Sequence, residues 1–151
     1  MKISKPFVSI LTAGAFSLFV ACTANTNEPT KLSVNKSLNV AVAPTKEKGD
    51  SIIPILPYLI EETVHISEIV HYPEDKNLVT VPFNFSDTTK YAAITEANLE
   101  KRIAISVNGN VVYTPVVKAR LNNGACMVLL TIEQAEKLFP NTDINQLFCG
   151  K

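Results

Sequence analysis

Four side chains stand at a spacing that metal sites use: Glu62-x-x-His65-x-x-Glu68-x-x-His71 alternates carboxylate and imidazole at every third position. On a helix, neighbours three apart would share a face and could converge on one ion. The residues between them, Thr63, Val64, Ile66, Ile69 and Val70, favour a strand instead. A strand turns Glu62 and Glu68 to one face and His65 and His71 to the other, which divides the set. No metal or other cofactor is therefore expected. Cys126 and Cys149 are the thiols of the C-terminal half. In an oxidising compartment they can pair if the last helix folds back on the strand carrying Cys126; the alternative is a buried Cys126 and an exposed Cys149. Neither thiol sits in a nucleophile motif with a histidine, and no Gly-x-Ser-x-Gly or glycine-rich phosphate loop is present. The chain is expected to bind rather than to catalyse.

Chemistry of another kind is written at the N-terminus. Lys2 and Lys5 precede an apolar, small-residue run from Phe7 to Ala21, the charge order and length of a secretory signal and too short for a comfortable membrane span. Phe19-Val20-Ala21-Cys22 then resembles a bacterial lipobox, with Phe19 where Leu is usual. Cys22 is thus the expected lipidated first residue of the mature chain, held to a membrane of the bacterial envelope by its acyl chains. The alternative is an ordinary signal peptide cut near Ala21 or Ala24. Residues 1–21 are accordingly assigned to the signal, 22–50 to a tether and 51–151 to a folded domain.

Removing Lys2 and Lys5 from the 14 basic residues leaves 12 against 14 acidic ones, a formal charge of −2. No basic run that could follow phosphates remains, so nucleic acid is not an expected partner. One domain of about 100 residues is the natural count. Thr23 to Asp50 is rich in Thr, Asn, Ser and Lys and nearly free of aromatic residues, as a flexible tether would be. Such a coil would hold the domain on the order of 30 Å from the lipid. The alternative is that the alternating apolar residues of Leu32 to Val42 pair as an extra strand.

The elements of the domain follow from local rules. Ser86 or Asp87 can cap a helix carrying Tyr91, Ile94 and Leu99, ended by Lys101 and Arg102. Arg102–Val107 and Asn110–Val117 are β-branched runs flanking Asn108-Gly109, a type I′ hairpin signal. A two-residue turn predicts that Ile103, Ile105 and Val107 share a face with Val112, Thr114 and Val116. Asn122-Asn123-Gly124 offers a second turn, Cys126–Leu130 a further strand, and Thr131-Ile132-Glu133-Gln134 a capping box opening a helix through Phe139. Val64–Val70 and Leu78–Phe85 complete the strands, the latter with Val79, Val81, Phe83 and Phe85 on one dry side. Pro82 and Pro115 belong at an edge or bulge. The expected fold is α+β, a mainly antiparallel sheet with two helices packed on one face.

Read in order, Thr95-Glu96-Ala97-Asn98, Lys101-Arg102-Ile103-Ala104-Ile105, Val107-Asn108-Gly109, Val111-Val112, Thr114-Pro115-Val116-Val117, Gly124 and Glu133-Gln134-Ala135-Glu136-Lys137-Leu138 resemble the head subdomain of the first large periplasmic domain in the SecDF protein-export factors. Val128-Leu129-Leu130 stands where that pattern usually carries a second glycine. The resemblance implies a polypeptide-contacting surface, placed by the density of the match at Asn110, Tyr113, Thr114 and Pro115. It does not extend to proton-driven export, for which the chain lacks the membrane helices. Two functions are therefore expected: a lipid-anchored envelope module that contacts polypeptide in or beside protein export, or an envelope lipoprotein that binds one folded partner. No small-molecule substrate is expected.

Overall fold

The computed structural model describes residues 28–148. Cys22, the signal and Cys149 lie outside them. The fold is α+β and mostly antiparallel, with strands β1 (Thr30–Lys48), β2 (Ser51–Pro54), β3 (Ile60–His71), β4 (Leu78–Asn84), β5 (Ile103–Val107), β6 (Asn110–Tyr113) and β7 (Ala125–Thr131). Helix α1 (Thr88–Ala97) links β4 to β5, and helix α2 (Ile132–Leu138) follows β7 and leads to a 3₁₀ segment, Ile144–Phe148. The strand order is β6-β5-β1-β3-β4-β7, with β2 pairing β1.

The largest departure from the sequence reading is β1. The expected tether is the central strand of the sheet, paired with β3 along one side and with β5 along the other. Leu38 and Val40 to Ala43 are buried, while Lys31, Ser33, Asn35 and Ser37 alternate onto the exposed face. The polar composition that suggests a coil is thus the wet half of an amphipathic strand. The Leu32–Val42 alternative holds, extended in both directions.

One hydrophobic core takes side chains from every long element. Val79, Val81, Phe83 and Phe85 all face it, as their alternation predicts. Tyr91 and Ile94 of α1 and Ala135 of α2 enter the same cluster. Pro82 is at neither the edge nor the bulge that its missing donor predicts: it lies within β4, between β3 and β7, and stands opposite Met127 in unbroken register, while the pairing of β4 with β3 joins Val70 and Thr80. In β3, His65 is exposed whereas His71 is buried with its Nε2 2.9 Å from the Asp75 carbonyl and its ring 4.2 Å from that of Phe148. The two histidines therefore do not share an environment. The change occurs beside a register shift where β1 passes from Ser33 to Lys36.

Helix α1 begins as expected, the Asp87 carboxylate accepting from the Lys90 amide at 3.0 Å. It stops earlier than expected. Asn98 caps it, Glu100 turns the chain at φ +63°, and Leu99 falls outside the helix, 41% exposed. The Asn108-Gly109 turn has the expected pair of positive φ angles, +51° and +88°. Its register then slips: Ser106 pairs with Val111 but Ile105 with Tyr113, so Val112 is the extra residue of a bulge. Beyond the bulge Tyr113, rather than Val112, lies opposite Ile105. Thr131 and Gln134 form the capping box reciprocally at 2.9 and 3.1 Å.

Candidate functional site

The two outermost strands, β6 and β7, do not pair with each other, although their Cα atoms approach within 8 Å. Beside this open seam lies a groove of about 470 Å³. Its walls are Ile103 and Ile105 of β5, Tyr113 of β6, the Pro115 to Leu121 connection, Ala125 to Met127 of β7, Pro82, and Tyr91 and Thr95 of α1. The lining is overwhelmingly apolar, and Met127 stands 47% exposed at its lip.

Each wall is set by local structure. Phe85 follows β4 at the foot of α1, and its ring lies 4.8 Å from Tyr91 and 5.5 Å, edge-on, from Phe83. This aromatic set carries Tyr91 into the groove. The Thr95 hydroxyl donates to the Ala92 carbonyl and accepts from the Leu121 amide, both at 3.0 Å, which fastens the loop to the helix. The other end of that loop is held by backbone bonds from Glu100 to Val117, Val117 to Lys101 and Ile103 to Pro115, at 2.8 to 3.0 Å. Two ion pairs, Lys118 with Glu100 and Arg120 with Glu96, lie at the exposed rim, where such pairs contribute little.

Lys118 stands at the rim, whereas the Tyr91 phenol and the Cys126 thiol, which line the groove, are both neutral near pH 7. Burial pushes the Tyr91 phenol well above its usual range, reinforced by its Cys126 neighbour. Burial likewise raises the Cys126 thiol to about 11, against the opposing effect of hydrogen bonding with Tyr91 and the Met127 backbone. A protonated, shielded thiol is a poor nucleophile. The groove is therefore built to take up apolar groups.

Of the residues expected to form a contact surface, Tyr113 and Pro115 line the groove. Asn110 sits at the hairpin, paired with Val107, and the Thr114 carbonyl accepts from the Arg102 guanidinium. Neither of these two is in the lining. Tyr91, Ile105, Cys126 and Met127 were not legible as site residues. Three read as helix or strand core, and the sequence marks Cys126 only as a thiol that is either paired with Cys149 or buried, without a nucleophile motif. Its thiol is free among the described residues.

The Glu-His series is taken apart by the fold. Glu62 accepts from the Ser86 amide at 2.8 Å, the Ser86 hydroxyl at 2.9 Å and the Asp87 amide at 3.0 Å. Partial burial opposes its ionisation, but these bonds and the nearby Lys90 charge prevail and hold the carboxyl below its ordinary 4.5. Glu62 thus fastens β3 to the start of α1. Its contribution is complete above the ordinary glutamate range and is lost as pH falls through the lowered value. Glu62→Gln is expected to cost about 1 kcal/mol at pH 7, below the usual range for charged hydrogen bonds because the carboxylate is largely hydrated and the amide keeps one acceptor oxygen. In urea titrations the gap between variant and wild type should narrow as the pH falls below the ordinary glutamate range; a gap independent of pH would contradict the assignment.

Fold and groove define a class: a small α+β domain whose open antiparallel sheet presents an apolar cleft beside unpaired edges. No protein-family model matches the chain, and no curated protein matches it significantly. Among solved structures it is similar to one described as "Structure and function of a membrane component SecDF that enhances protein export", with a TM-score of 0.44 and 16% identity. The alignment covers 78% of this chain and 64% of that one.

Proposed function

We propose that this chain is a lipid-anchored envelope protein that binds extended or unfolded polypeptide in its groove, in or beside protein export, and is not an enzyme. The observation that carries the reading is the apolar groove lying against strands with free edges, since extended chains add to such edges and bury side chains in such clefts. The resemblance of the Thr95–Leu138 sequence to an export-factor head supports the same use, and the lipobox-like Phe19–Cys22 supports the anchor. Because β1 begins at Thr30, the reach from Cys22 to the sheet is at most about 30 Å even when fully extended.

Photo-crosslinking tests this reading. With the probe at Tyr113 or Met127 and a control probe at the exposed Thr63 of β3, a reduced, carboxymethylated model polypeptide should crosslink at the first two positions well above the control. Equal yields at all three would overturn the proposal. A single discrete adduct with a folded envelope protein in intact cells, without capture of the unfolded chain, would establish the single-partner alternative. Loss of fatty-acid labelling and of membrane fractionation in Cys22→Ser tests the anchor separately.

A further inference from the structure

The two edges that flank the groove are not equivalent. β6 is short, bulged at Val112 and closed by Pro115, all devices that keep an edge from being extended. β7 carries none of them. Its seven residues, Ala125-Cys126-Met127-Val128-Leu129-Leu130-Thr131, include no charge and no proline, and all seven pair in unbroken register with β4 on the other side. A long, uncharged edge without a bulge is one that proteins ordinarily guard. Where β6 and β7 share the groove, β7 contributes only its first three residues, Ala125 to Met127, together with Tyr113 of β6, and among the described residues no strand pairs with the outer edge of β7 along Val128–Thr131.

We propose that β7 is the docking edge, and that its occupant is an extended segment of a partner polypeptide which pairs as an added strand along Val128–Thr131 and sends an apolar side chain into the groove beside Met127. The chemistry selects this occupant. A row of backbone N–H and C=O groups is matched by another backbone, and the adjoining cleft takes side chains of one face, at every second residue of the guest. Recognition would then follow alternating apolar pattern rather than a particular sequence. The inference rests on the polypeptide-binding reading of the groove and goes further, to the mode of binding.

A fluorescent peptide of alternating Leu and Thr with lysines at each end, and the same peptide N-methylated along its backbone, test it with the full chain in detergent. The parent should bind saturably and slow hydrogen exchange at the Val128–Thr131 amides, and N-methylation should weaken binding at least tenfold and abolish that protection. Retention of affinity within twofold by the methylated peptide would overturn strand addition while leaving polypeptide binding in place. So would failure of the parent peptide to bind in a protein that still crosslinks an unfolded chain from Tyr113. Protection of the same amides without peptide, lost on dilution, would show that a second copy of the chain occupies the edge and would also overturn the proposal.

Discussion

Replacing Gly124 with Ala is expected to destabilise the protein by about 2–5 kcal/mol, the sum of a left-handed backbone forced on a residue with a Cβ and of overpacking. Gly124 has φ +75°, and a Cβ placed there would sit 2.4 Å from the Phe85 carbonyl oxygen and 3.1 Å from Cγ2 of Thr88. The first contact is with backbone, so no side chain can rotate away. Nor can the turn shift freely, because the Gly124 carbonyl accepts from the Phe85 amide at 2.9 Å and fixes the start of β7 to the end of β4. Gly109 makes the contrast. It too has positive φ, +88°, but nothing lies within 4 Å of its virtual Cβ. Gly109→Ala should therefore cost only about 1–2 kcal/mol, the conformational part alone. Urea denaturation of both variants measures the difference, and a Gly124→Ala midpoint equal to that of the wild type would refute the packing described for this turn.

Phe85→Ala should cost about 3–5 kcal/mol, the range for deleting a fully buried phenylalanine. Phe85 is 1% exposed and sits between the rings of Phe83 and Tyr91. Its loss leaves a cavity beneath the groove and frees Tyr91 to tilt, so Phe85→Leu, which keeps most of the volume, should retain stability better than the alanine variant while still weakening the polypeptide binding proposed above. A cost below about 1 kcal/mol for Phe85→Ala would mean that the aromatic set is not packed as described.

What the sequence made legible was governed by near neighbours. Asn108-Gly109 names its own turn, Thr131 to Gln134 its own cap, and the alternation from Val79 to Phe85 its own buried face, each through interactions a few residues long. What escaped depends on partners far along the chain. Thr30–Lys48 becomes the central strand only because β3 and β5 take up its two sides, and its Lys, Ser and Asn residues look like a coil until that pairing is known. The bulge at Val112 is set by the Pro115 to Val117 backbone meeting Lys101 and Ile103, which local turn rules do not contain. The groove is harder still to read, because Tyr91, Ile105, Tyr113 and Cys126 come from four separate elements. Each is an ordinary apolar position in its own segment. Tyr113 and Pro115 were reached through sequence resemblance alone, and Asn110 and Thr114, chosen on the same ground, lie beside the groove rather than in it.

In the proposed function the groove at the open seam holds polypeptide. Its most direct test is a chemical-shift titration of the isotopically labelled protein with an unfolded, carboxymethylated chain. Shifts confined to Tyr91, Ile105, Tyr113, Val117 and Ala125–Met127, saturating together, are the predicted result. Saturable binding that leaves these signals unmoved, or shifts that cluster on the exposed face of β3 around Thr63 and His65, would contradict it.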